Sequence, residues 1–116
     1  MHNEESRIQQ ACVRWFRYQY PQYARLLFAV PNGGARSAAT AAILKGEGVV
    51  SGVADILLLV PNSKHHGLCI EMKTRIGRQS DNQKTWQAEV EAQGYKYIVC
   101  RNVDSFIEDV RAYLDD

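Results

Sequence analysis

The stretch Leu68-Cys69-Ile70-Glu71-Met72-Lys73 reads as a β-strand with two charges set into it. Leu68, Cys69 and Ile70 have the character of a buried segment rather than of a solvated edge. Side chains alternate along a strand, so Glu71 and Lys73, two apart, project from the same face. A buried charge without a partner costs several kcal/mol or more. The pair therefore needs further partners or a chemical task. Thirteen residues before Leu68, Asp55 opens the apolar run Ile56-Leu57-Leu58-Leu59-Val60.

Working outward, that run is apolar at every position, as expected of a strand covered by helices on both faces, which favours an α/β domain over a sandwich. The polar segment Pro61-Asn62-Ser63-Lys64-His65-His66-Gly67 links it to Leu68 as a hairpin. Counting back through that link places Asp55 near the level of Glu71 to Arg75. Upstream, residues 4 to about 20 predict a helix with Ile8, Cys12, Trp15, Phe16 and Gln19 near one face, stopped by Pro21. A strand from Leu26 to Val30 follows, closed by the turn Pro31-Asn32-Gly33-Gly34. Ser37 can cap an alanine-rich helix through Leu44, with Gly46 just past its end.

Downstream, Ser80-Asp81-Asn82-Gln83 has the form of a capping box and opens a helix to about Gln93, ended by Gly94. Tyr95 to Cys100 predicts a strand. Asp104 or Ser105 then caps a final helix that places Phe106, Ile107, Val110, Tyr113 and Leu114 on one side. The expected fold is α/β, a central mixed sheet flanked by helices in the order α-β-α-β-β-α-β-α.

At 116 residues the chain suits a single domain spanning 1–116. Its 46% hydrophobic and 23% charged residues are those of an ordinary globular protein. The formal net charge of +1 neither demands nor excludes nucleic acid, so such a site must come from local clustering. No apolar run approaches the ~20 residues of a membrane span, and the polar start Met1-His2-Asn3-Glu4-Glu5 lacks the apolar core of a signal peptide. Cys12, Cys69 and Cys100 are widely spaced and sit in apolar segments, as expected of reduced thiols in a cytoplasmic protein.

Two carboxylates on adjacent strands, a backbone carbonyl between Glu71 and Lys73, and an ammonium two residues on suit phosphodiester hydrolysis. A hard divalent cation prefers oxygen ligands. The Met72 carbonyl is the natural third donor beside Asp55 and Glu71. Lys73 can orient the attacking water or offset developing negative charge.

Asp55 before an apolar strand, followed by Glu71-Met72-Lys73, resembles the D…ExK core of the restriction-endonuclease-like, or PD-(D/E)xK, nucleases. With Glu5, Ile8 and Cys12 in the first helix, Pro31-Asn32-Gly33-Gly34, Gly52-Val53-Ala54-Asp55 and Gln83, the chain is similar to the VRR-NUC family over nearly its whole length. Ala54 departs from the proline that this family often has before the aspartate. The resemblance implies Asp55 and Glu71 as ligands of Mg2+ or Mn2+, Lys73 as the catalytic lysine, Glu5 as a supporting glutamate of the metal site, and Gln83 as an organiser of the active centre. It further implies a small stand-alone member of bacterial or phage type acting inside the cell. Such a member would be a homodimer working on branched or junction-containing DNA as Holliday-junction resolvases do.

Each signal also has a plainer reading. Glu and Lys alternate on many solvated strand faces. Glu5 suits the first turn of any helix through its dipole, by roughly 0.3–1 kcal/mol, and Gln83 is explained by the capping box alone. Asn32, Gly33 and Gly34, with Arg36, form a turn that can also offer N–H groups and charge to a phosphate. Lys73, Arg75, Arg78 and Lys84 form the only basic cluster, broken by Asp81, and make a surface for a DNA backbone. His65-His66 lacks ligand spacing, the cysteines lack a C-x-x-C pair, and neither a Gly-x-Ser-x-Gly elbow nor a nucleotide-binding glycine loop is present. A zinc site, a serine hydrolase and a nucleotide cofactor are thereby disfavoured. The rival functions are a non-catalytic DNA-binding or assembly module on the same fold, and a generic nickase or RNase.

Overall fold

A computed structural model of the chain describes residues 3–31 and 37–116. The elements, in chain order, are α1 (Asn3–Gln19), β1 (Leu27–Ala29), α2 (Ala38–Gly46), β2 (Ile56–Leu58), β3 (Leu68–Met72), α3 (Asp81–Ala92), β4 (Lys96–Cys100) and α4 (Val103–Asp115), with a single 3-10 turn at Pro21–Tyr23. The order is the one expected. The strands form one mixed sheet, β1-β2-β3-β4, antiparallel across its first two junctions and parallel across the last.

Alternation along β3 divides the molecule. Leu68, Ile70 and Met72 face α1 and α4, whose Cys12, Phe16, Phe106 and Val110 are fully buried against them. Trp15 packs edge-on to Phe106, with ring centroids 6.1 Å apart. The Tyr113 hydroxyl closes this layer by donating to the Val60 carbonyl at 2.6 Å. Cys69 and Glu71 face the other way, towards α3, where Ala54 and Tyr97 are buried and Leu57, Trp86 and Val90 pack against them.

Three local expectations need correction. The second strand stops at Leu58 and is covered fully on one face only: Ile56, Leu58 and Val60 are buried, whereas Leu59 is 54% exposed. The reason is that α3 packs mainly on β4 and reaches β2 only at Leu57, which stays half-buried, leaving Leu59 uncovered. The last helix is capped by Asn102, whose side-chain oxygen accepts from the Ser105 N–H at 2.8 Å, so Asp104 and Ser105 lie inside its first turn. Gly46 ends α2 from within, and Gly48, at φ +106°, makes the turn beyond it. Elsewhere the alanine-rich α2 buries no residue, and its Ile43 is 62% exposed. Among the described residues no helix is long and apolar enough to cross a membrane.

Candidate active site

All five residues of β3 are buried, and Glu71 is the one charged side chain among the buried groups described, with 0% exposure. The β2–β3 register pairs Ile56 with Ile70, so one step further sets Asp55 opposite Glu71. The hairpin count from sequence thus lands at one end of its expected range. Asp55 is held there by backbone: its Oδ2 accepts from the Met72 N–H at 2.7 Å, and its carbonyl accepts from the Val30 N–H at 2.8 Å. The loop leading to Asp55 presses onto the start of α3 at Gly52, where an added Cβ would stand 2.5 Å from the Asn82 backbone and φ is +87°. Only glycine meets both demands.

Glu71 uses its two oxygens differently. Oε1 accepts from Gln79 Nε2 at 3.0 Å and, in a short bond, from the Tyr97 hydroxyl. Gln79 also donates to Gln87 Oε1 at 2.7 Å, tying the carboxylate to α3. Oε2 is buried and has no hydrogen-bond partner among the described residues; Lys73 Nζ lies 3.5 Å from it. Burial raises the Asp55 pKa above the usual carboxylate value, the Met72 N–H opposes that rise, Glu71 adds to it and Lys73 reduces it. Burial, then its bond to Glu71, pushes the Tyr97 phenol up, so it stays protonated as a donor.

Asp55, Glu71, Met72 and Lys73 are therefore brought together. Glu5 sits half-buried in the first turn of α1, and among the described residues no third Asp, Glu, His or Cys joins Asp55 and Glu71 in a metal-holding group. The Gln83 side chain accepts from the Ser80 N–H at 2.8 Å, completing the capping box; the glutamine that reaches Glu71 is Gln79. Arg75, Arg78 and Lys84 are exposed. Asn32, Gly33, Gly34 and Arg36 lie outside the described residues.

Sequence reasoning missed three residues. Tyr97 carried a usable signal, because an inward tyrosine on a strand needs a partner for its hydroxyl. Gln79 sits in a loop without periodicity and carried none. Arg101 donates to the carbonyls of Thr74 at 2.8 Å and Gly77 at 2.7 Å, strapping down the loop that follows Lys73; nothing local marks a residue 24 positions from its acceptor.

The donor set suits a hard divalent cation. It consists of oxygens, it pairs two carboxylates across a strand junction, and one buried carboxylate oxygen lacks a hydrogen-bond donor. Compared with known proteins, residues 3–104 match the family model described as the VRR-NUC domain. A solved structure titled "VRR_NUC domain protein" superposes with a TM-score of 0.84 at 23% identity, covering 96% of this chain and 88% of that one. No curated protein matches.

Proposed function

The chain belongs to the VRR-NUC domain family, a nuclease-like family, and from that premise we propose that it is a metal-dependent, structure-selective DNA endonuclease hydrolysing phosphodiester bonds. One observation carries the reading: Glu71 is fully buried, one of its oxygens is saturated by two donors, and the other is left open beside Lys73. A carboxylate serving only the fold would have both oxygens satisfied.

Asp55, Glu71 and the Met72 carbonyl would hold Mg2+ or Mn2+, with Glu5 as an outer ligand. When bound, the ion supplies Lewis acidity towards the phosphoryl oxygens and lowers the pKa of water. The protein's own groups do the rest. Gln79 and Tyr97 fix the Glu71 carboxylate in one orientation, and the Met72 N–H fixes Asp55. The Lys73 ammonium, with its side chain 16% exposed, holds a water for in-line attack and offsets charge gathering on the phosphate. Arg75, Arg78 and Lys84 meet the flanking phosphates.

The substrate proposed is branched or junction-containing DNA, and the acting form a homodimer that brings two sites to two strands. Both parts rest on the sequence resemblance to small stand-alone VRR-NUC proteins, which themselves resemble Holliday-junction resolvases in this respect. The test is to incubate wild type and Lys73→Ala with linear, flap and four-way-junction DNA, with and without Mg2+ or Mn2+. Cleavage should require metal and fall at least about 100-fold in the variant. Cleavage in EDTA, or equal cleavage by the variant, would sink the mechanism. A folded wild type that binds DNA and cuts none would instead make the chain a binding module.

A further inference from the structure

Away from Glu71, α1 carries a charge pattern that packing does not explain. Arg7, Gln10, Arg14 and Arg17 follow one another at spacings of three and four residues, and all are exposed on one stripe of the helix. Tyr18, on the same side, is 89% exposed. Gln9, Gln10, Val13, Arg14 and Arg17 line a shallow groove there. Between Ser6 and Gly46 the sequence has six lysines and arginines and no acidic residue. Among the described residues the ion pairs are Lys64–Asp116 and Lys73–Glu71, so none of the three arginines is paired with a carboxylate. The loop cluster around Lys73 is thus not the only basic surface.

On α4, which packs against α1, the pattern reverses. Asp104, Glu108 and Asp115 are exposed, and the single base, Arg111, lies over the Trp15 ring at 5.5 Å. A solvated helix normally intersperses signs, because like charges at these spacings destabilise it by about 0.2–0.5 kcal/mol per pair. An unbroken basic stripe is complementary to a polyanion.

We propose that the Arg7–Arg14–Arg17 stripe is a binding surface for the phosphates of duplex DNA, additional to the surface around Lys73. The inference rests on the nuclease reading above and extends it. The helix covers the sheet face opposite to that from which Glu71 projects, and the stripe lies on a different element from the loop cluster around Lys73. Arg7 to Arg17 spans roughly 15 Å of helix, about four base pairs of duplex at 3.4 Å each. The α4 acids repel DNA on one flank and confine its path. Unpaired guanidinium groups on an exposed helix contact backbone, so the surface adds affinity and orientation without sequence choice.

The test is fluorescence anisotropy with a labelled four-way junction in EDTA across a salt series. It compares wild type, the triple variant Arg7→Gln/Arg14→Gln/Arg17→Gln, and Glu108→Gln. Glutamine has nearly the helix propensity of arginine, and circular dichroism checks that each variant is folded. The triple variant should bind about 10- to 100-fold more weakly, with a log K against log salt slope smaller by about 2–3. Glu108→Gln should bind slightly more tightly. A folded triple variant with wild-type affinity and slope, in a protein that does cut DNA, overturns the stripe alone. Wild type that neither binds nor cuts DNA overturns the nuclease reading, and the stripe with it.

Discussion

The two faces of the sheet are built from the same strands and differ in nearly everything else. Towards α1 and α4, β3 sends Leu68, Ile70 and Met72 into a wholly apolar layer whose helices contribute fully buried Phe16 and Phe106. Towards α3 it sends Cys69 and Glu71, and α3 itself has no fully buried residue. One strand thus serves two ends. Its first face supplies the apolar burial that outweighs conformational entropy. Its second holds a charge that would be too costly without such a frame.

Breaking the first face should have the largest effect. Phe106→Ala removes a fully buried ring from between α1 and α4, and urea denaturation should register a loss of about 3–5 kcal/mol. A loss below about 1 kcal/mol would mean that this layer does not set stability. Glu71→Gln should do the reverse: cleavage falls at least about 100-fold, while the melting temperature holds or rises. A buried charge disappears, and the amide oxygen still accepts from Gln79 and Tyr97. Should that variant unfold, the second face would be structural after all.

Tyr97→Phe is a milder break. It takes one of the two donors from Glu71 Oε1 and should lower stability by roughly 0.5–1.5 kcal/mol, with a several-fold loss of cleavage. Gln79→Ala in the same background should deepen both losses, since the second donor then goes too.

The thiols sharpen the comparison at the least cost to the fold. Cys12 and Cys100 lie on the apolar face and Cys69 under α3. A disulfide reagent should label Cys69 first, because α3 opens more readily than the α1/α4 layer. Burial raises Cys12 and Cys69 from 9.0 to about 11 and Cys100 to about 12. The unfolded chain therefore releases these protons at lower pH than the folded one. Thiol-linked stability is fully present below pH 9.0 and is lost as pH rises through about 11 to 12. With rising pH over that range wild type should lose more melting temperature than Cys100→Ala, which lacks the most shifted of the three thiols.

Much of this was legible in the sequence, for identifiable reasons. The Ser80 capping box, the glycine stop at Gly94 and the alternation of β3 are rules of adjacent residues, and each appears in the fold. The place of Asp55 opposite Glu71 was within reach because a hairpin fixes register by loop length. The run from Ile56 to Val60 misled because its composition says what could be buried on each face, whereas α3 decides how much of one face is covered. Asp104 and Ser105 lost the cap to Asn102 because each is an acceptable cap residue and the chain direction after β4 selects among them.

By itself the sequence determined the elements, their order, the alternation that puts Glu71 and Lys73 on one side, and the family to which the chain belongs. Those features depend on residues near one another or on a motif kept in order. The tertiary structure alone decided what became of the two charges in β3. The parallel β3–β4 pairing, with α3 crossing between the strands, carries Tyr97 and Gln79 to Glu71 from 26 and 8 residues away. They occupy one carboxylate oxygen and leave the other facing Lys73. No local rule specifies which oxygen is filled, because hydrogen bonds form between groups that meet in space.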